Sequence, residues 1–174
     1  MLSFNDVIIE IFNALYYVFP AYCANGAPVI FGGGKPIDLG RNFLDGKPIF
    51  GSHKTIRGFI VGLAIGTLVG WAQETLAPNV GLPEGNTLLG FTLSLGALIG
   101  DLLGSFLKRR LDLKPGAPLP ISDQIDFVLV ALLLGSLIEP PTLTAALIIV
   151  ILTGPVHLLV NVVAYLLRLK ETPW

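Results

Sequence analysis

The sequence predicts an all-α integral membrane protein: five transmembrane helices, with two cytoplasmic loop segments forming a polar site. Three observations predict it. Of 174 residues, 53% are hydrophobic and only 13% charged, far more apolar than a soluble domain needs. Apolar runs at about 4–24, 57–77, 87–107, 124–139 and 142–167 approach the roughly 20 residues that one crossing takes. Every Lys and Arg falls outside or at the ends of those runs, and all on one side.

The first run carries Asp6 and Glu10, and no basic stretch or small-residue cleavage site marks it as a signal peptide, so it counts as a retained span. The second and third carry Gly58, Gly62, Gly66, Gly70 and Gly90, Gly96, Gly100, Gly104, largely at four-residue intervals. Such ladders let helix backbones approach closely, which makes them packing features. The fourth run is short. The fifth is long, with a Gly154-Pro155 pair able to kink or break it. Little chain is left over, so residues 1–174 form a single polytopic membrane domain. The lone Cys23 supports neither a disulfide framework nor a cysteine metal cluster.

Charge placement sets the orientation. Lys35, Arg41, Lys47, Lys54 and Arg57 lie between the first and second runs or at the start of the second. Lys108, Arg109, Arg110 and Lys114 follow the third, and Arg168 and Lys170 close the chain. These eleven are all the Lys and Arg present, while the opposite loops, 78–86 and 139–141, carry only Glu84 and Glu139. The positive-inside rule then places 25–56, 108–122 and the C-terminus in the cytoplasm and the N-terminus outside. The expected location is the cell membrane, with the site facing the cytoplasm.

Acidic residues inside apolar runs are functional suspects, because a charge there is costly. Asp101 falls some 15 residues into the third run, or roughly 22 Å, which is the cytoplasmic third. Asp123 and Asp126 open the fourth run from the same side, and His157 lies in the inner half of the fifth. Asp123 and Asp126 share a helix face, and crowded carboxylates repel unless a cation intervenes. One reading is a hard divalent metal: Mg²⁺ takes one or two carboxylates and fills its shell with water and phosphate oxygens, and Asp101 would add a third carboxylate. The other makes Asp123 an N-cap, with Ser122 as competitor, and pairs Asp126 with a loop arginine.

The cationic segments weigh on that choice. "SFLKRRLDLKPG" (105–116) directly precedes the acidic pair, and the loop "ANGAPVIFGGGKPIDLGRNFLDGKPIFGSHKTIRG" (24–58) is too long for an idle connector. Its glycines let backbone N–H groups approach an anion, and its Lys and Arg supply charge-assisted bonds to phosphate. "GSHKTIRG" opens the second run, where a helix N-terminus favours anions. It lacks Walker A spacing, so no P-loop fold follows. Anchoring to acidic headgroups is the plainer use of such residues. It accounts for Arg168 and Lys170 but poorly for a Gly-rich loop beside carboxylates. The residues thus point to a membrane enzyme that handles phosphate groups with Mg²⁺.

"SFLKRRLDLKPGAPLPISDQIDF" (105–127) resembles the signature of the CDP-diglyceride synthetase (phosphatidate cytidylyltransferase) family, with Ser105, Lys108, Arg109, Lys114, Pro120, Asp123 and Asp126 in the family's order. It departs from the bacterial and eukaryotic pattern in two places. The Lys-Asp pair is not reproduced around Lys114-Pro115, and Pro120-Ile121-Ser122 replaces His-Gly-Gly. With the 24–58 loop and the short chain, it is similar to the archaeal branch, the CDP-archaeol synthases. The resemblance implies an Mg²⁺-dependent nucleotidyltransferase that joins CTP to an isoprenoid ether-lipid phosphate within membrane lipid, with no nucleic-acid partner. It implies Asp123, Asp126 and Asp101 as metal ligands and Lys108 as a further catalytic residue. Lys54, Arg57 and Arg109 would neutralise phosphates, and Asn25, Gly33, Gly34, Ser52, His53, Thr55 and Ser105 would contact the nucleotide. Two rivals remain. A CDP-alcohol phosphotransferase would need a D-x-x-D-G-x-x-A-R signature, but Phe127 follows Asp126. A small transporter or channel would use Asp101 and Asp126 as ion ligands, and would not require basic, Gly-rich loops.

Overall fold

The computed structural model describes residues 3–113, 119 and 122–169. Lys114, Pro120 and Lys170 lie outside these, as does the side chain of Ser122. The described chain forms five α-helices: α1 (Phe4–Phe31), α2 (Ile56–Thr75), α3 (Thr87–Arg110), α4 (Ser122–Gly135) and α5 (Leu143–Leu166). A 3-10 turn, Ala77–Val80, links α2 to α3, and no strand occurs among the described residues beyond two isolated bridges. Four helices are long and apolar enough to cross a membrane, and α4, with 14 residues, is the exception.

Helix α1 starts with a capping box: Asp6 N–H donates to Ser3 Oγ at 3.2 Å and Ser3 N–H donates to Asp6 Oδ2 at 2.8 Å. That accounts for an acidic residue at the head of an apolar run. The helix runs seven residues past the expected end at 24 and passes through Pro20 and Pro28. Proline lacks an N–H, so each leaves the carbonyl four residues back without its helical partner. Tyr16 O, freed by Pro20, accepts from Gln73 Nε2 of α2 at 2.8 Å. Ala24 O, freed by Pro28, faces Gly62, where a Cβ would come within 2.6 Å of it. The helix persists because its neighbour covers both interruptions.

The glycine ladders form the inner seam. In α2, Gly58, Gly62, Gly66 and Gly70 are all buried. A Cβ on Gly70 would come within 2.7 Å of the Gly90 Cα, and one on Gly66 would overlap Ser94 Oγ. The rest of the α3 ladder turns toward α4: a Cβ on Gly96 would meet Ala131 Cα at 2.6 Å, and one on Gly100 would meet Phe127 Cα at 2.7 Å. In lipid there is no hydrophobic drive between helices, so this close contact supplies much of the association. Around it Val18, Ala21, Leu93, Ala97, Phe127, Val128, Ala131 and Ile149 are fully or almost fully buried.

Polar side chains fix three helix starts. Thr55 Oγ1 accepts from Gly58 N at 3.1 Å, Asn86 Oδ1 from Leu88 N at 2.9 Å, and Thr142 Oγ1 from Ala145 N at 3.1 Å. Helix α3 extends to Arg110, so Lys108, Arg109 and Arg110 fill its last turn, where cations oppose the helix dipole. Helix α4 ends at Gly135 instead of 139, since Ser136–Ile138 form a turn. Helix α5 continues unbroken through Gly154-Pro155. Among the described helices it packs against α1 and α4, tied by a 2.8 Å bond between Tyr22 Oη and Thr153 Oγ1. Its outward residues Ile151, Leu159 and Leu166 are exposed, as a lipid-facing surface requires.

Candidate active site

The segment between α1 and α2 folds back on itself through antiparallel bridges Pro36–Thr55 and Asn42–Pro48. Its hub is Asp38, buried at 7% exposure. Asp38 Oδ2 accepts from the N–H of Phe50 and of Gly51 at 2.9 Å each, and Oδ1 from Gly40 N at 3.0 Å. Burial alone would raise this carboxyl, but the amides of Gly51, Phe50 and Gly40 outweigh it and hold it below its ordinary value. Gly51 has φ 96° and Gly33 φ 100°, a region that favours glycine.

A second set of contacts pins this loop to the end of α3. Arg110 Nε lies 2.8 Å from Asp45 Oδ2, and its Nη2 donates to the Pro48 carbonyl at 2.6 Å. The same guanidinium sits over the rings of Phe106 (4.5 Å) and Phe43 (5.2 Å), a cation–π arrangement. Lys47 Nζ pairs with Asp112 at 2.6 Å and donates to the Arg110 carbonyl at 3.2 Å. Arg110 therefore works as a clasp, set apart from its neighbours in the basic run.

With the loop so held, a cavity of about 940 Å³ lies between it, the C-terminal parts of α1, α3 and α5 and the N-terminal parts of α2 and α4. Asn25, Gly33, Ser52, His53, Lys54, Thr55, Asp101, Ser105, Lys108, Arg109, Asp123 and Asp126 all line it. Gly34 and Arg57 do not. Gly34 is exposed on the loop surface. Arg57 follows the first α2 residue while Gly58 turns inward, so its side chain borders a separate hollow beside Lys35. Asn25 reaches the cavity from within α1 and not from a loop.

Two of the three aspartates are paired with cations. Lys54 Nζ donates to both Asp101 oxygens, at 2.8 and 2.6 Å. Lys108 Nζ lies 2.5 Å from Asp123 Oδ1, and Asp123 Oδ2 accepts from Leu119 N at 3.0 Å. Asp123 thus sits inside the first turn of α4, which begins at Ser122, and is not its N-cap. Asp126 Oδ1 accepts from Phe127 N at 2.6 Å, and its Oδ2 fills the space at Gly104 that a Cβ would occupy. Among the described residues no three His, Cys, Asp or Glu side chains are gathered closely enough to hold a metal. The donor chemistry nonetheless fits a hard divalent cation: three carboxylates line one cavity, and the glycine at 104 makes room for one of them.

The far wall comes from α5. His157 and Asn161 line the cavity, their Nδ1 and Nδ2 atoms 3.3 Å apart, and Val160 and Ala164 extend an apolar lining beside Val29 and Ile30 of α1. Asp38, Arg110 and Asn161 escaped the sequence reading. Asp38 carried a usable signal, an aspartate two residues before a glycine in a turn-rich loop. Arg110 carried none, because its neighbours have the same charge.

The family model for CarS-like CDP-archaeol synthases matches residues 6–174. The chain belongs to the CDP-archaeol synthase family. A member from Methanocaldococcus jannaschii is 44% identical over 172 residues, covering 94% of this chain and 97% of the relative. One from Pyrococcus furiosus is 43% identical over 164 residues, covering 94% and 98%. A solved structure of an intramembrane enzyme for archaeal membrane lipid biosynthesis matches with a TM-score of 0.77 at 35% identity, over 87% of this chain and 94% of that one. Family membership disfavours both the phosphotransferase and the channel alternatives.

Proposed function

We propose that the chain is a CTP-dependent cytidylyltransferase that converts 2,3-di-O-geranylgeranylglyceryl phosphate, an unsaturated archaetidic acid, to CDP-archaeol with release of pyrophosphate. Membership in the CDP-archaeol synthase family supports the activity. The observation that carries its location is one cavity lined by Asp101, Asp123 and Asp126 together with Lys54, Lys108 and Arg109. A nucleoside triphosphate needs both signs at once.

A lipid-phosphate oxygen attacks the α-phosphorus of CTP and forms a new P–O–P link. The bond from the α-phosphorus to its bridging oxygen breaks, and pyrophosphate leaves with that oxygen. No general base is required, since the lipid phosphate is already anionic near neutral pH. Positioning and charge neutralisation therefore supply the catalysis. Asp101, Asp123 and Asp126 are the residues that would hold Mg²⁺, which when bound withdraws charge from phosphate oxygens. Lys54, Lys108 and Arg109 face the triphosphate, while Ser52 and His53 stand exposed at the mouth. The apolar side, between α1 and α5, suits isoprenoid chains.

The same reading takes all five helices across the membrane, N-terminus outside and C-terminus in the cytoplasm, with CTP entering from the cytoplasm. Helix α4 spans about 21 Å, short of the roughly 30 Å hydrocarbon core. Its contacts with α1, α3 and α5 cover one face, Leu129 and Leu133 face outward, and the Ser136–Ile138 turn completes the passage. The decisive assay supplies α-³²P-labelled CTP and the geranylgeranyl lipid phosphate to purified protein. Label should appear in the lipid fraction only when Mg²⁺ is present. Label confined to the aqueous phase under all conditions would overturn the activity.

A further inference from the structure

The cavity neutralises two of its three carboxylates, Asp101 and Asp123, with its own lysines. Lys54 reaches from the loop to Asp101 on α3, and Lys108 reaches from α3 to Asp123 on α4. These four side chains are 14–32% exposed, so the pairs are only partly screened by water. An ammonium 2.5–2.8 Å from a carboxylate competes with a metal both for oxygen lone pairs and for its negative charge.

We propose that Lys54 and Lys108 are built-in counter-ions that exclude a divalent metal until a nucleotide triphosphate arrives to receive them. The nucleotide half of this rests on the cytidylyltransferase reading; the exclusion half does not. A metal that takes Asp101 or Asp123 without nucleotide must dislodge a lysine and strand a cation in a part-buried cavity, which is costly. A triphosphate entering alone meets Asp101, Asp123 and Asp126. When the two arrive together, the metal takes the carboxylates and the phosphates take the ammonium groups, so no charge is stranded. Each ligand then raises the affinity of the other by the same factor.

Two measurements on the full chain in detergent test this. In the first, Mn²⁺, a hard divalent probe suited to carboxylates, is titrated by electron paramagnetic resonance without nucleotide. Lys54→Met and Lys108→Met, which keep length and lose charge, should bind Mn²⁺ at least fivefold more tightly than wild type, and Lys54→Arg should match wild type. Unchanged or weaker binding in both Met variants would overturn the proposal. In the second, which needs no variant and so survives a misfolded one, thermal unfolding of wild type is followed with Mg²⁺, with CTP and EDTA, and with both ligands. Only the pair should raise the midpoint strongly. Stabilisation by Mg²⁺ alone equal to that by Mg²⁺ with CTP would also overturn it. If no combination stabilises the protein, the CTP reading fails, and the nucleotide-free titration still decides the role of the lysines.

Discussion

Asp123 and Asp126 stand in the first turns of α4, one held by Lys108 and the other pressed into the space at Gly104. If both serve a metal, Asn at either position keeps shape and removes a charge. Asp123→Asn and Asp126→Asn should therefore lose CTP-to-lipid transfer by orders of magnitude while unfolding near the wild-type temperature. Retained activity in both would leave the carboxylates a purely structural role. Asp38 makes a different prediction, because its depressed carboxyl belongs to the loop and not to the cavity. A lowered folded-state value means that its stabilisation is fully present above the ordinary carboxylate range and lost as pH falls through the folded value. Unfolding midpoints of wild type and Asp38→Asn should differ at neutral pH and converge in acid. The aspartates of the apolar runs were legible in the sequence because charge in such a run is conspicuous. Asp38 was not, since its partners Phe50 and Gly51 are brought to it only by the folded loop.

At the scale of elements, the site depends on how the 32–55 segment is fastened. Arg110 does this with an ion pair, a carbonyl contact and two aromatic faces. Arg110→Ala should raise KM for CTP several-fold with a smaller change in kcat, and should expose residues 41–49 to protease. Arg110→Lys should recover the charge but not the planar stacking, and so restore only part of the effect. An equal loss of kcat and kcat/KM with unchanged protease sensitivity would make Arg110 a catalytic cation instead. Helix positions were readable from apolar runs, but two ends were not. The α1 end moved from 24 to 31 because Gln73 and Gly62 accommodate the proline breaks from another helix. The α4 end moved from 139 to 135 because the apolar run outlasts the helix, and Leu137 and Ile138 belong to a turn.

For the whole molecule, the proposed orientation rests on the distribution of charge. With the loop basic and the opposite turns acidic, single cysteines placed in 36–50 of a Cys23→Ser protein should react with impermeant reagent only from the cytoplasmic side. Labelling from outside would invert the topology and cut the cavity off from cytoplasmic CTP. The segregation of Lys and Arg was visible without coordinates because it depends only on position along the chain. The convergence of loop, α1, α3, α4 and α5 on one cavity was not, as it needs the helices packed. What could be anticipated was a shared depth for Asp101, Asp123 and Asp126. The pairing of Asp101 and Asp123 with lysines from other elements could not.

The glycine seam also divides the chain by how much sequence drift it can absorb. Where Gly70 meets Gly90 and Gly100 meets Phe127, backbone lies against backbone and no flexible side chain can yield. Adding one carbon in so tight a place costs about 1–3 kcal/mol, a large part of the roughly 5–15 kcal/mol that separates a folded domain from its unfolded state. Two such changes would bring many proteins to the edge of unfolding. Leu68, Leu103 and Ile151 are exposed instead, where one aliphatic side chain serves a lipid-facing surface as well as another. Random mutation of this chain should therefore leave a map of tolerance shaped like its cross-section: permissive around the rim and almost silent along the seam.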